Sequence, residues 1–339
     1  MKTLEYFLKP TQKELFGLLR KMYRGSTVVR KGQFILVPGE APIMLLAHLD
    51  TVHEKPVHDI CKTQNGNILM SPQGIGGDDR CGVYALVTAH EQAAVKPWLL
   101  FTCNEEVGGV GAYAFADEYS RGKLPKGLDE LKLLVGIDRK GSKDAVYYDC
   151  DNPDFETYIT SKGFVTAEGS FSDISAVAPA LGVAAVNLSS GYYNAHTLHE
   201  YINRGQLNEV VAKVGTIIQD ASDPAFPKYE YRERVWHGNA FGWGSWGGWD
   251  RDWYDDARGK STKRVSLASK VIEGDSTTGA PKDLPSDLVE MYNELLELYS
   301  KSEIEQLRDQ YGDGIIPQMY DAEYGPFYGN DSKTDLEDR

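Results

Sequence analysis

Uninterrupted apolar segments alternate along the chain with stretches in which apolar residues recur every three or four positions. An apolar segment without polar alternation is typical of a strand that is buried on both faces, as occurs when helices cover both sides of a sheet. Strands are expected at 26–37 (a hairpin), 43–49, 96–103, 131–138, 144–149 and 183–189, and helices at 11–23, 80–94, 111–122, 172–182 and 206–221. This alternation predicts an α/β sandwich with a mostly parallel central sheet.

The pattern changes after about residue 223. The chain has 339 residues, which is more than the ~100–200 of a usual domain, so a large domain with an appendage is expected. Five of the six tryptophans, separated by glycines, lie in 235–253, and a polar stretch that resembles a linker follows. The segment 285–311 is predicted to be helical, with Leu288, Met291, Leu295 and Leu298 on one face. We therefore expect a main domain over 1–222, a Trp/Gly-rich segment and linker over 223–284, and a small helical region with an acidic, non-periodic tail over 285–339.

The charge of the chain argues against two classes of partner. Lys and Arg number 36 and Asp and Glu number 50, for a net charge of −14. Nucleic acids and anionic membranes favour basic surfaces, so neither is expected as a partner. No apolar run reaches about 18 residues, and the N-terminal residues lack the apolar core of a secretion signal, so a cytoplasmic protein is expected. The four cysteines form no C-x-x-C pair and are expected to be buried, reduced thiols.

Five short segments carry metal-ligand residue types next to predicted strands, where α/β sheets place their sites. They contain His48 and Asp50, Asp78 and Asp79, Glu105 and Glu106, Asp138, and His196, His199 and Glu200. Imidazoles combined with several carboxylates suit zinc, cobalt or manganese better than metals that prefer thiolates. A carboxylate can bridge two such ions ~3.5–4 Å apart, and sites of that kind perform hydrolysis.

Each segment also has an ordinary structural explanation. Paired aspartates before a helix cap its N-terminus and stabilise it by ~1 kcal/mol. Adjacent glutamates in a loop are usually solvated, Asp138 has Arg139 beside it as a partner, and a histidine in a loop is often a surface residue. The joint occurrence of all five segments, in order and next to strands, favours a functional site. Within the Glu105–Glu106 pair, one carboxylate would bind metal and the other would take a proton from water.

The ordered set of motifs resembles the co-catalytic zinc exopeptidase superfamily (clan MH), which includes peptidase T, the aminoacylases and the leucyl aminopeptidase-like metallopeptidases. That family shows H-x-D, a D-D pair before a helix, E-E-x-G-x-x-G, a lone Asp after a strand, and H-x-x-x-E. The matching residues lie between about 40 and 205. The resemblance implies a three-layer α/β/α zinc-peptidase sandwich of the phosphorylase/hydrolase-like type, with a C-terminal extension.

The resemblance also implies two divalent ions per chain, with zinc as the expected metal and cobalt or manganese as alternatives. His48, Asp78 and Asp138 would hold one ion, and Asp78, Glu106 and His196 would hold the other. Asp78 would therefore bridge the two ions. His196 is chosen over its neighbour His199 because it lies four residues before Glu200, as the family motif requires.

Further roles follow from the same resemblance. Glu105 would be the general base, and Asp50 would orient the His48 ring. Relatives often have a cis peptide bond after the bridging aspartate. Contacts with the substrate or with the metal ligands are expected from Asp79, Arg80, Arg139 and His199, although an ion pair within the fold is the more ordinary role for the two arginines.

The spacing of the motifs excludes the inserted domains of some branches. Only 58 positions separate Asp138 from His196, and 30 separate His48 from Asp78. The chain is thus most similar to the compact aminopeptidase branch, and it is expected to hydrolyse an amide bond of a small peptide-like substrate as an aminopeptidase or a di- or tripeptidase. Two alternatives stay open: a deacylase of N-acyl amino acids, and a non-catalytic binding protein that acts through the Trp-rich segment. Self-association through the C-terminal extension is also expected.

Overall fold

A computed structural model describes residues 2–24, 28–30, 32–53, 55–169 and 171–234 of the chain. Near the C-terminus it describes 281, 283–285, 288–296, 301, 304–305, 308 and 312–324. The tryptophans of 235–253, the predicted linker up to 280, Leu298 and the tail after 324 lie outside the described residues. The chain divides into two compact units, one of 1–234 with 284–339 and one of 235–283. The boundaries expected at 222 and 284 stay predictions.

The secondary structure follows the alternation expected from the sequence. The described helices are α1 (Leu4–Leu8), α2 (Gln12–Met22), α3 (Gly77–Gln92), α4 (Val110–Ser120), α5 (Pro153–Ser161), α6 (Ile174–Leu181), α7 (Arg204–Ala221), α8 (Val289–Leu295) and α9 (Ile315–Tyr324). The strands are β1 (Val28–Arg30), β2 (Phe34–Val37), β3 (Ala41–His48), β4 (Cys61–Lys62), β5 (Ile68–Met70), β6 (Pro97–Thr102), β7 (Leu133–Arg139), β8 (Asp144–Val146), β9 (Val165–Ala167), β10 (Ala185–Ser189), β11 (Tyr192–Tyr193) and β12 (Tyr201–Asn203). None of the described helices has the length and apolar character needed to span a membrane.

Two sheets are present within the described residues. The large sheet has the strand order β1-β2-β6-β3-β7-β10-β8-β9, and the small one has the order β11-β12-β5-β4. The four central strands β6, β3, β7 and β10 are mutually parallel. β2 pairs antiparallel with β1 and β6, and β8 pairs antiparallel with β10 but in parallel with the edge strand β9. The predicted α/β fold with a mostly parallel core is therefore confirmed, and the hairpin at 26–37 is the β1–β2 pair.

Both faces of the central strands are buried. Along β3, Leu45 and Ala47 belong to one hydrophobic cluster, while Met44 and Leu46 belong to the other. The first cluster includes buried residues of α1, α2, α3, α5 and α7, and the second includes those of α4 and α6. Successive strand residues point to opposite faces, so this division places a helical layer on each side of the sheet. The fold is a three-layer α/β/α sandwich.

The C-terminal region departs from the sequence-based expectation. The segment from about 317 was expected to lack periodic structure, but Ile315–Tyr324 is a helix, α9, and it packs against α2 and α8. Arg24, just after α2, donates a hydrogen bond of 2.8 Å to the hydroxyl of Tyr320. Tyr320 is fully buried. The acidic composition concealed a helix whose apolar side is covered by its neighbours.

One cysteine is also placed differently from the expectation. Cys81, Cys103 and Cys150 are buried and free, as expected, but Cys61 is exposed. Cys61 lies on β4, a two-residue strand at the edge of the small sheet. An edge strand this short has little covering it, so the expectation of burial was wrong for Cys61.

Candidate metal centre

Three parallel neighbours of the large sheet bring three of the five motif segments to one edge. His48 is the last residue of β3, Asp138 is the next-to-last residue of β7, and Glu105 and Glu106 follow the end of β6. β3 pairs in parallel with both β6 and β7. The carboxyl ends of these strands therefore meet, which is where open α/β sheets place ligand sites.

The first group of candidate ligands is centred on His48. Its Nε2 atom lies 3.1 Å from Oδ1 of Asp78 and 3.6 Å from Oδ1 of Asp138. Asp138 is held by its surroundings: its main-chain amide donates to Oδ1 of Asn187 at 2.9 Å, and Ser172 donates to its Oδ2 atom at 3.3 Å. His48, Asp78 and Asp138 thus form the first predicted ligand set.

The second group is centred on His196, which lies in the loop between β11 and β12 of the small sheet. Its Nε2 atom lies 3.1 Å from Oε1 of Glu106 and 3.3 Å from Oδ2 of Asp78. The two carboxylate oxygens of Asp78 therefore face different imidazoles, Oδ1 toward His48 and Oδ2 toward His196. The side chain of His196 is 50% exposed, so this half of the site is open to solvent.

The donor atoms have the spacing and chemistry of a metal site. A tetrahedral zinc centre with bonds of about 2.0–2.1 Å separates its ligand atoms by about 3.3 Å. The nitrogen–oxygen distances in the two groups run from 3.1 to 3.6 Å. The donors are imidazoles and carboxylates, without a thiolate, which suits zinc, cobalt or manganese. The residues present therefore fit the pair of divalent ions that the sequence motifs imply.

Glu105 lies beside these groups. One of its carboxylate oxygens is within 4.8 Å of a ring nitrogen of His48 and of a carboxylate oxygen of Glu106. Burial raises the pKa of Glu105 to about 8, and the carboxylates of Asp138, Asp173 and Glu106 add to the shift against the opposing effect of His48. Glu105 belongs to neither predicted ligand set, so its carboxylate is a candidate proton acceptor.

Asp50 organises both sides of the site. Its Oδ1 and Oδ2 atoms accept hydrogen bonds from the main-chain amides of Glu105 at 3.1 Å and Glu106 at 3.0 Å. Its Oδ1 atom also lies 3.3 Å from Nδ1 of His48. Asp50 thus lies next to the His48 ring that it is predicted to orient. It also bonds the loop that carries the two glutamates, a contact that the sequence did not predict.

The side chain of Asp79 points into the protein interior, where it is fully buried. Its carboxylate accepts hydrogen bonds from the main-chain amides of His48 at 3.2 Å and Gly82 at 3.0 Å, and the peptide bond between Asp78 and Asp79 is cis, as the motif implied. A Cβ atom on Gly82 would stand 2.2 Å from the carbonyl oxygen of Ile137, so only glycine allows this approach of α3 to β7. Burial raises the pKa of Asp79 well above its usual range. Asp79 thus contacts the backbone of the candidate ligand His48 and is fully buried, away from solvent.

The buried carboxylate of Glu200 holds Asp78 in place. In the sequence, Glu200 stands out only as the last residue of the H-x-x-x-E motif. Glu200 is fully buried and accepts hydrogen bonds from the amides of Gly76 at 3.0 Å and Asp78 at 2.9 Å. Nε2 of His53 lies 3.0 Å from the same carboxylate. His53 was not singled out in the sequence, and no motif there marks it. The sequence signal for Glu200 is its position four residues after His196, directly before β12.

Burial, neighbouring charges and hydrogen bonds together shift the pKa values of the candidate ligands. Burial raises the pKa of Asp138 to about 7, with the neighbouring Asp78 carboxylate adding to the effect. Burial also acts to raise the pKa of Asp78, but hydrogen bonds with His196 and His48 outweigh it and hold that pKa well below its usual range. Hydrogen bonds with Asp78 and Glu106 raise the pKa of His196 to about 11. Carboxylates outnumber imidazoles here, so a divalent cation is the complementary charge.

The remaining predicted residues point elsewhere. Arg80 is buried and donates a hydrogen bond of 3.3 Å to the carbonyl oxygen of Phe7 in α1. The Arg139 guanidinium donates to the carbonyl oxygen of Glu168 at 2.9 Å. His199 is exposed, and its main-chain amide bonds within its own loop to Thr197. The structure therefore does not bring these three side chains together with the ligand groups.

No protein-family model matches the chain, and no curated protein matches its sequence. Solved structures do match. A tripeptidase from Staphylococcus aureus is 14% identical, with a TM-score of 0.47 over 65% of this chain and 96% of that one. Aminopeptidase PepT from Bacillus cereus is 13% identical, with a TM-score of 0.47 over 65% and 98%. An aminopeptidase from the archaeon Desulfurococcus kamchatkensis is 15% identical, with a TM-score of 0.48 over 64% and 93%. The structures that this chain is similar to, at low sequence identity, are thus tripeptidases and aminopeptidases.

Proposed function

We propose that the chain is an amide hydrolase that binds two divalent metal ions and acts as an exopeptidase on small peptides. Zinc is the proposed metal, with cobalt or manganese as alternatives. The observation that carries this proposal is the placement of Asp78, whose two oxygens face separate imidazoles at 3.1 and 3.3 Å. A carboxylate that faces two ligand sets in this way is suited to bridge two ions. His48 and Asp138 would complete one set, and Glu106 and His196 the other.

The bound ions would supply Lewis acidity that polarises the amide carbonyl and acidifies water. The chain itself supplies the proton transfer. Glu105 is partly buried next to His48 and belongs to neither ligand set, so it is free to accept a proton from water and to deliver it to the leaving amine. Asp50 holds the amides of Glu105 and Glu106, which fixes the base and a ligand relative to each other.

The charge of the site favours a peptide amino terminus over a carboxylate. Glu105 stands beside the ligand groups, and a further carboxylate, Asp173, is buried nearby with one oxygen that has no hydrogen-bond partner among the described residues. The guanidinium groups of Arg80 and Arg139 are bonded to main-chain carbonyls elsewhere. An ammonium group is complementary to this surface, whereas the carboxylate of an N-acyl amino acid is not. We therefore favour an aminopeptidase over a deacylase.

Metal content and a substrate panel test the proposal together. The protein is stripped of metal, re-equilibrated separately with zinc, cobalt and manganese, and analysed for ions per chain. Each form is then assayed on aminoacyl amides, di- and tripeptides, and N-acyl amino acids. Two ions per chain with hydrolysis of free-amino peptides supports the proposal. Hydrolysis of N-acyl amino acids alone replaces it with a deacylase. No bound metal in any form, or bound metal without hydrolysis, overturns it and directs attention to binding by the Trp-rich segment.

A further inference from the structure

Three consecutive main-chain amides in the loop after β6 each donate to a side-chain oxygen. The amides of Glu105 and Glu106 donate to the two oxygens of Asp50. The amide before them, that of Asn104, donates to Oε1 of Gln12 at 3.0 Å. Gln12 is 92 residues away in the chain, and nothing in the sequence motifs marks it. It completes the set of contacts that fixes the backbone leading to the candidate base.

The contact between Gln12 and Asn104 is reciprocal. Nε2 of Gln12 donates to Oδ1 of Asn104 at 3.0 Å, so both the main chain and the side chain of Asn104 are bound by one carboxamide. Asn104 has a φ of 60°, the left-handed conformation that asparagine tolerates better than most residues. Its carbonyl oxygen accepts from the amide of Val110 at 3.1 Å. The turn into α4 is thus held at Asn104, the residue before Glu105, by its contacts with both Gln12 and Val110.

The position of Gln12 is itself well defined. It is the first residue of α2, and the preceding Thr11 caps that helix in a reciprocal pair of hydrogen bonds with Glu14. In this cap, the side chain and the main-chain amide of Thr11 both bond to Glu14. The cap and the contact of Gln12 with Asn104 are therefore separate interactions at one end of the helix. A change at Glu14 therefore tests the helix end without touching Asn104.

We propose that Gln12 is a positioning residue for Glu105. Through its paired hydrogen bonds with Asn104 it sets the direction in which the chain leaves β6, and hence where the Glu105 carboxylate stands relative to His48. This role rests on the proposed function of Glu105 as the base. Displacement of a reacting group by about 1 Å lowers turnover by up to about a hundredfold, so loss of this contact affects turnover more than substrate binding.

Two variants of Gln12 and one control separate positioning from folding. Gln12→Leu removes both hydrogen bonds with little change of size. Gln12→Glu keeps the acceptor for the Asn104 amide and loses the donor. Glu14→Ala breaks the cap of the same helix and leaves the contact to Asn104 intact. The measurements are kcat and KM with a peptide substrate, zinc per chain, thermal unfolding, and hydrogen exchange of the peptide that covers 103–110.

The expected result for Gln12→Leu is a kcat about ten- to a hundredfold lower. KM stays within about twofold and zinc content is unchanged, because no ligand is altered. Amide exchange over 103–110 becomes faster. Gln12→Glu gives intermediate values, and Glu14→Ala lowers the unfolding temperature while kcat and exchange over 103–110 stay as in the wild type.

Two results overturn the inference. One is a Gln12→Leu protein whose kcat and loop exchange equal those of Glu14→Ala. The other is a loss that appears in KM or zinc content instead of kcat. Either leaves the proposed function intact if the wild-type protein hydrolyses peptides. A wild-type protein that binds zinc and hydrolyses no amide overturns the proposed function instead, so the two failures are distinguishable.

Discussion

The main-chain amide of Asp78 donates a hydrogen bond of 2.9 Å to the fully buried carboxylate of Glu200. The same carboxylate accepts from Gly76 and lies 3.0 Å from His53. Glu200, in the loop that also carries His196, therefore contacts both the start of α3 at Asp78 and the segment that carries His53. Glu200 lies four residues after the candidate ligand His196. It holds the backbone of Asp78, the candidate bridging ligand.

Replacement of Glu200 by glutamine is expected to weaken both the fold and metal binding. The amide group offers one acceptor where the carboxylate offers two, so a buried main-chain amide loses its partner at a cost of about 1–3 kcal/mol. Urea unfolding of the metal-free protein measures that loss, and calorimetric zinc titration measures the affinity. Glu209→Gln, which changes an exposed carboxylate on α7, is the matched control. Equal zinc affinity in the two variants would show that the backbone of Asp78 does not depend on Glu200.

Replacement of Glu105 by glutamine is expected to abolish turnover while both ions stay bound. The amide keeps the size of the side chain but accepts no proton, and general base catalysis contributes about a hundred- to ten-thousandfold. Peptide hydrolysis and elemental analysis of the same sample give the two readouts. Glu106→Gln is the control next to it, because a ligand variant is expected to lose metal as well as activity. Near-wild-type turnover in Glu105→Gln would exclude Glu105 as the base.

Replacement of Asp78 and of His196 by alanine should differ in metal stoichiometry. Asp78 faces both imidazoles, so Asp78→Ala is expected to lose both ions. His196 contacts Asp78 and Glu106 but belongs to one set, so His196→Ala is expected to keep the other ion. Ions per chain after dialysis against a zinc buffer decide between these outcomes. Retention of two ions by Asp78→Ala would contradict its role as a bridge.

The sequence predicts the central strands well because each is a continuous apolar run long enough to be recognised. It predicts His48, Glu106 and Asp138 as candidate ligands because they stand at or just after the ends of those strands. It does not predict α5, although Asn152 and Pro153 give a start signal there, because only Phe155 and Ile159 in that helix are buried. The strands of the small sheet have two or three residues each, too few for a pattern.

The supporting contacts of the site could not be predicted for a different reason. The hydrogen bonds of Gln12 to Asn104 and of His53 to Glu200 join residues 92 and 147 positions apart. Each depends on how helices and loops meet after folding, and a glutamine or histidine at such a position has no local signature. The candidate ligands are visible in the sequence because they stand in short, ordered motifs, whereas the residues that hold them in place are visible only in the tertiary structure.

His90 provides a pH-dependent prediction that is independent of the candidate metal site. It lies near the end of α3, with its ring edge-on to Tyr23 at 5.3 Å, and the ammonium group of Lys96 donates to its carbonyl oxygen. Burial lowers the pKa of His90 to about 4, and the charge of Lys96 adds to the shift. The unfolded chain, with a histidine pKa of about 6.5, takes up a proton that the folded protein binds only near pH 4. The contribution of His90 to stability is therefore constant above about pH 6.5 and becomes less favourable as the pH falls toward 4.

His90→Gln and His90→Phe both remove this titration. In each variant the free energy of unfolding should fall less between pH 7 and pH 4.5 than in the wild type, by about 1 kcal/mol once solvent screening of the half-buried ring is included. Urea unfolding at several pH values measures the difference, and the acid sensitivity of all other groups cancels in it. The two substitutions differ in size and polarity, so they shift stability at pH 7 by different amounts but should share one pH dependence. If both retain the wild-type slope, the ring of His90 is not shielded from protonation by the fold, and the acid sensitivity of the protein arises from other groups.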